Sequence, residues 1–201
     1  MARKYELKRR AARQEETRQR IVEATIALHQ TVGGAGATIS AIAARAGVER
    51  PTVYRHFPDE RALITACTGH YLALNPPPDP VAWQGITVPA ERLRVALAAV
   101  YAFHRRTAQM MVHAVQDVET MPTLREVLAP YFAYWEMVRE TLLVGWPCEG
   151  DRGRWVSAVI GHALDFRTWR ALVGEQGLED ADVVELMGAL ACAAASATGG
   201  R

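Results

Sequence analysis

The sequence predicts an all-α protein made of two helical parts, the first of them a helix-turn-helix. Apolar residues recur at three- and four-residue spacing nearly throughout, and no segment alternates with the period of two that a half-buried strand requires. A Gly-containing turn joins two short helical stretches near residue 47. With 201 residues, half of them hydrophobic, the chain holds enough apolar material for a substantial core, as one compact unit or two small ones.

The first helix is expected from about Glu15 to Val32, with Ile21, Ala24 and Leu28 on one face, ending at Gly33-Gly34-Ala35-Gly36. Thr38 is a good N-cap for a second helix that buries Ile39, Ile42 and Ala43 and stops at Gly47, which takes positive φ without a Cβ clash. Ala41 stands where a reciprocal capping box would need Glu or Gln. The third helix spans roughly Arg50 to His56, and Pro51 fits its first turn because the N–H it lacks has no intrahelical partner there. Val53 and Phe57, four apart, mark the buried face; Thr52, Tyr54, Arg55 and His56 are left on the other. Pro58 is expected to open a fourth helix carrying Leu63, Ile64 and Leu72. Four prolines within residues 75–80 cannot continue a helix, so they divide the chain into a part at residues 1–74 and a second helical domain at 75–201.

Three stripes at helical spacing follow the prolines. The first is Leu93, Leu97, Tyr101, His104, Ala108, Met111 and Val115; the second is Leu124, Leu128, Tyr131, Trp135, Val138 and Leu142, with Pro130 expected to kink it. The third is Trp155, Val159, His162, Phe166, Trp169 and Val173. Such stripes are ordinarily core. Here His104 and His162 each interrupt one, and all five tryptophans lie beyond residue 80, so the stripes also predict an apolar cavity with a few polar groups, as small-molecule sites are built. The cavity residues expected are Tyr101, His104, Met111, Trp135, Val138, His162 and Phe166.

Charge and composition narrow the partners. The net charge of +1 hides a balance of +5 over residues 1–70 and −4 over 71–201, so one end favours polyanions and the other does not. No run of about eighteen apolar residues exists to span a membrane, and the basic start MARKYELKRRAARQEETRQR lacks the apolar stretch of a secretory signal. Cysteines 67, 148 and 192 form neither a disulfide framework nor a metal pair, which suits a reducing cytoplasm. The sequence holds no HExxH, GxSxG or GxxxxGK[ST], so neither an enzyme nor a cofactor or metal site is expected.

The segment IVEATIALHQTVGGAGATISAIAARAGVERPTVYRHFPDERALI resembles the N-terminal DNA-binding domain of the TetR family of repressors over residues 18–66. The resemblance rests on Thr38, Ile42-Ala43, Ala46-Gly47-Val48, Tyr54, Phe57 and Leu63 at these spacings. It implies a homodimer that binds double-stranded operator DNA through the third helix and answers to a small-molecule effector held in the second domain. Arg50, near the start of that helix, is the candidate for bidentate reading of guanine, and Thr52 for a thymine methyl or a base edge. Tyr54, His56 and Thr38 are candidates for phosphate, with Arg55 for either role and Pro51 beside them. Glu60 stands where the family usually carries Lys or Arg, which makes the neighbouring Arg61 the compensating candidate; Ser40 stands where the family's namesake carries Arg. The basic arm at residues 1–20 adds a candidate contact to phosphates or an adjacent minor groove.

The resemblance also implies that the last two helices pack against a partner's. Ala158, Gly161, Asp165, Thr168 and Leu172 form a second face on one, and Leu186, Ala189, Leu190 and Ala193 a face on the other, where small residues allow close approach. The competing reading from another class is a helical homodimer whose basic end binds protein or a membrane surface and reads no DNA sequence.

Overall fold

The computed structural model describes residues 2–147 and 149–197, with side chains from Tyr5 onward; Cys148 and the side chains of Arg3 and Lys4 lie outside the described residues. Every regular element among them is helical: α1 (Ala2–Gly36), α2 (Ile39–Ala46), α3 (Arg50–His56), α4 (Glu60–Leu74), α5 (Val81–Gln84), α6 (Pro89–Thr120), α7 (Pro122–Val127), α8 (Ala129–Leu143), α9 (Gly150–Leu164), α10 (Phe166–Arg170), a π-turn at Ala171–Glu175, and α11 (Asp180–Ser196). None of these helices is long and apolar enough to cross a membrane.

Local chemistry sets most of the boundaries. Thr38 caps α2 by accepting the Ala41 N–H at 3.2 Å, and Gly47 ends it in the left-handed region at φ 64. Such a cap is worth about 1 kcal/mol. Helix α4 begins after Asp59, whose carboxylate accepts the Ala62 N–H at 2.7 Å, so Pro58 precedes the helix and does not open it. Helix α1 starts at Ala2 and not near Glu15, because residues 2–14 are mostly good helix formers with no Gly or Pro to stop them. Its break falls at Gly33, with φ 76 and ψ 171. The second expected stripe is divided between α7 and α8, and Pro130 sits in the first turn of α8, where it is tolerated without kinking anything.

The chain forms two compact units. One joins the residues up to Pro76 with Ala108–Ala129; the other joins Pro77–Thr107 with Pro130 onward. This division departs from a cut at the prolines, because α6 contributes to both units. The first unit centres on Ile21, Val22, Ile42, Val53, Phe57, Leu63 and Cys67, all buried. Side chains of this size stabilise a fold by roughly 1.5–3 kcal/mol each when removed from water.

Polar links tie Ala108–Ala129 into that first unit. The Gly34 N–H donates to Asp117 Oδ2 at 2.6 Å, the Thr123 hydroxyl lies 3.3 Å from Glu60 Oε2, and Arg61 pairs with Glu126. Gly33 is required where it stands: a Cβ there would sit 3.3 Å from Asp117 Oδ2 and 3.4 Å from His113 Nδ1, on a backbone that L residues rarely adopt.

In the second unit α9 packs along α11, and the core is formed by Leu93, Leu97, Val100, Val138, Leu142, Val156, Ile160 and Val183. Arg92 is buried there with its guanidinium donating to the carbonyls of Ile86 (2.8 Å) and Val144, which fastens two loops.

Candidate nucleic-acid interface and effector site

Helix α3 is held by its own apolar side. Val53 is fully buried and Phe57 nearly so, with the Arg18 guanidinium 4.9 Å from the Phe57 ring centre. This anchoring leaves Arg50, Pro51, Tyr54 and Arg55 exposed and Thr52 and His56 half-buried. Thr38 and Ser40, at the start of α2, are exposed as well. The structure therefore gathers a guanidinium pair, a phenol, an imidazole and hydroxyl groups within one helix-turn-helix. Burial, then the cations Arg55 and Arg18, hold the His56 pKa below the ordinary histidine value.

Arg61 differs from its expected place. It is exposed but occupied, paired with Glu126. Exposed pairs of this kind contribute little, about 0–1 kcal/mol, and exchange readily for another anion. Glu60, beside it, lies 3.3 Å from the Thr123 hydroxyl.

Sequence reasoning missed a cleft of about 470 Å³ in the same unit, bordered by His29, Thr38, Tyr54, Asp59, Leu63 and Met121. It also missed Asp117. The one sequence signal for that residue was the Gly33-Gly34 pair, whose backbone needs an acceptor once the helix is broken.

The expected effector residues are only partly brought together. His104 is buried at the centre of an aromatic shell, with ring centres of Phe166 at 5.5 Å, Trp169 at 5.8 Å, Phe103 and Trp135 at 6.0 Å, and Tyr101 at 6.2 Å. The Tyr101 hydroxyl donates to the Ala163 carbonyl at 3.1 Å, and burial pushes its pKa up. Burial likewise pushes His104 down to about 4. Val138 is fully buried in the same unit.

Met111 and His162 do not join this cluster. Met111 is seven residues beyond His104 on α6, roughly 10 Å along the axis, and belongs to the first unit. His162 is exposed, its Nδ1 3.0 Å from the Thr168 hydroxyl. The reason is the extended backbone of Asp165 (φ −72, ψ 130), which ends α9. Its carboxylate accepts the Arg167 N–H at 2.6 Å and starts α10 on a new register. Phe166 turns inward while His162 stays outside.

The same break rearranges the expected dimer face. Thr168 is buried beneath it, Gly161 and Leu172 are half-buried, and Ala158, Asp165, Leu186, Ala189, Leu190 and Ala193 are exposed. Leu186 and Leu190 keep 46% and 45% of their surface in water, a high value for leucines one turn apart on a helix. At the start of α11 the Arg105 guanidinium makes two 2.8 Å bonds to Asp180, which also accepts the Trp169 indole N–H at 2.8 Å. Those bonds, led by Arg105, hold the Asp180 pKa below the usual carboxylate value.

Residues 21–67 match the family model described as bacterial regulatory proteins, tetR family. A segment of 84 residues is 37% identical to the HTH-type transcriptional regulator SrpR of Pseudomonas putida, covering 39% of this chain and 39% of that relative, so the chain spans about two-fifths of the length of the curated relative it matches. Among solved structures, a TetR-like transcriptional regulator from Rhodococcus sp. RHA1 superposes with a TM-score of 0.61 at 19% identity, over 88% of this chain and 94% of that one. The transcriptional regulator FadR from Bacillus subtilis, in complex with stearoyl-CoA, gives 0.52 at 16% identity, over 89% and 97%. At these identities the likeness is one of fold.

Proposed function

We propose, from the match of residues 21–67 to the family model of tetR bacterial regulatory proteins, that this chain is a regulator of that kind: a ligand-released repressor that binds a near-palindromic operator as a homodimer. The observation that carries this reading is the orientation of α3, with Val53 and Phe57 buried so that Arg50, Pro51, Tyr54 and Arg55 face outward. A helix so displayed after a Gly turn fits the major groove. Arg50 and Thr52 read base edges; Thr38, Ser40, Tyr54, Arg55 and His56 hold phosphates, and Arg61 joins them when it leaves Glu126. The exposed basic residues of α1 add charge at the same end.

The two-fold partner covers the exposed apolar residues of α9 and α11, Leu186 and Leu190 first among them. Two-fold symmetry in the protein demands it in the site, with half-sites about one helical turn, roughly 34–36 Å, apart or at a multiple of that. The effector enters the shell around His104, and FadR from Bacillus subtilis, a relative in fold, holds stearoyl-CoA. Helix α6 bears His104 in one unit and Asp117, bonded to Gly34, in the other. A ligand that favours the non-operator arrangement shifts the equilibrium by its difference in affinity for the two states, typically 1–3 kcal/mol or about 5–150-fold. Linkage requires operator DNA to weaken the ligand by the same factor.

The test is a footprint on the protein's own promoter region together with light scattering. A protected, near-palindromic stretch bound by a dimer supports the reading. A stable monomer at micromolar concentration with undiminished binding to single half-sites, or no sequence-specific protection at all, overturns it.

A further inference from the structure

The cleft of about 470 Å³ in the first unit has the size of a small-molecule site. Its floor is apolar and buried, formed by Ile42, Phe57, Leu63 and Ile64. Thr25 borders it as well, but its buried hydroxyl donates to the Ile21 carbonyl at 2.8 Å, so the floor holds no donor to spare there. Met121 closes one side, packed so near Gly34 that a Cβ on that glycine would lie 2.9 Å from the sulfur. The mouth is different. Asp59 and Glu60 stand there, both exposed, beside Thr38 and Tyr54. Asp59 gives Oδ1 to the Ala62 N–H and keeps Oδ2, while Glu60 is 3.3 Å from the Thr123 hydroxyl. Residues 1–70 carry a balance of +5, yet among the described residues no Lys or Arg borders the cleft. The guanidiniums of Arg18 and Arg61 are engaged, one over the Phe57 ring and the other with Glu126. Burial, opposed by Asp117, holds the pKa of the bordering His29 below the ordinary histidine value, which favours its neutral ring.

We infer that this cleft is a separate ligand site within the helix-turn-helix unit, for an organic ammonium: an apolar body of drug size bearing a primary or secondary amine. The body covers the floor of Ile42, Phe57, Leu63 and Ile64, and the ammonium donates to Asp59 Oδ2 and Glu60 at the mouth. Charge-assisted bonds of that kind are about twice as strong as neutral ones. A carboxylate or phosphate meets two like charges there and no cation, so anionic ligands are turned away, and the DNA backbone with them. The site goes beyond the effector reading, since it shares no residue with the shell around His104. Its walls come from α1, α2, α3 and α4, through His29, Ile42, Tyr54 and Leu63. A molecule seated among them touches every helix that orients the exposed face of α3, and its binding is therefore linked to whatever that face contacts.

The experiment titrates two probes that differ in one group, 1-naphthylmethylamine and 1-naphthalenemethanol, into the full chain at pH 7 and low salt. Calorimetry gives the affinities, and the ¹³C methyl resonance of Met121 reports where the probes sit. The amine is expected to bind about tenfold more tightly than the alcohol and to move the Met121 methyl. The double variant Asp59→Asn, Glu60→Gln keeps a cap acceptor for the Ala62 N–H and is expected to bind the two probes alike. Should that variant not fold, salt takes its place: at about 1 M, where the Debye length is about 3 Å, the preference of the wild-type chain for the amine is expected to collapse. Equal affinity of the two probes at low salt, a preference that survives the variant or the salt, a Met121 methyl that stays still while the amine binds, or no binding up to solubility overturns the site. The operator reading and the shell around His104 stand in every case, because none of these measurements touches them.

Discussion

His104 makes the protein's stability depend on pH between the histidine's unfolded and folded values. Its pKa falls from 6.5 in the unfolded chain to about 4 in the folded one, because burial among five aromatic rings penalises the charged form; the Leu164 carbonyl, Asp165 and Asp180 pull weakly the other way. Between those values the unfolded chain takes up a proton that the folded chain refuses. The associated stability is therefore complete above about pH 6.5 and lost as the pH falls towards 4. A difference of this size, at 1.36 kcal/mol per pKa unit, amounts to about 3 kcal/mol, a large part of a typical domain's 5–15 kcal/mol. The assay is urea unfolding followed by tryptophan fluorescence, at one protein concentration and at several pH values from 7.5 to 4, for wild type and His104→Phe. Subtracting the two curves removes the carboxylates common to both, among them Asp180, which its bonds to Arg105 and Trp169 keep ionised to lower pH. The wild type is expected to lose about 3 kcal/mol more than the variant over this range. A difference between the two proteins that stays flat from pH 7 to 4.5 refutes the argument that His104 is held neutral.

The DNA-reading head supplies further outcomes. Arg50→Ala is expected to relax sequence preference by about 1–3 kcal/mol, whereas Tyr54→Phe weakens all sequences alike; a binding-site selection returning one motif for wild type and Arg50→Ala would remove Arg50 as the reader. Deleting residues 2–13 is expected to lower affinity and flatten the salt dependence, by about 0.9 in the slope of log K against log salt for each phosphate no longer neutralised, without changing the preferred site; an unaltered slope assigns the exposed basic turns of α1 to solvent. Asp117→Ala leaves the Gly34 N–H without its 2.6 Å acceptor and is expected to cost about 1–2 kcal/mol in urea unfolding; an unchanged midpoint shows that the broken turn holds itself.

What the sequence disclosed was whatever local chemistry decides. Helices α2 and α3 end where Thr38, Gly47 and Pro51 require, because a cap, a left-handed glycine and a first-turn proline act within a few residues of themselves. The start of α1 was illegible for the complementary reason: nothing in residues 2–14 stops a helix. Periodicity misled where it crossed a hidden break. Trp155 to Val173 reads as one stripe only if the helix continues, and the extended backbone at Asp165 cuts it, which sends Thr168 inward and leaves His162 in water. The allegiance of Met111 and Asp117 was invisible too, since it depends on bonds between residues some eighty positions apart.

The way α6 is shared between the two units limits how the protein can be taken apart or recombined. A fragment cut at the prolines of residues 75–80 keeps α2 and α3 but is without Asp117, Met121, Thr123 and Glu126, and so without the acceptor of the Gly34 N–H and the partners of Glu60 and Arg61. The reading head is thus not a cassette. A chimera that grafts residues 1–76 onto another effector domain inherits a foreign stretch in place of 108–129, and with it foreign chemistry against the loop that leads into Thr38. Co-inheritance of the two segments, one at the N-terminus and one in mid-chain, is the condition for moving the proposed DNA specificity to another effector domain.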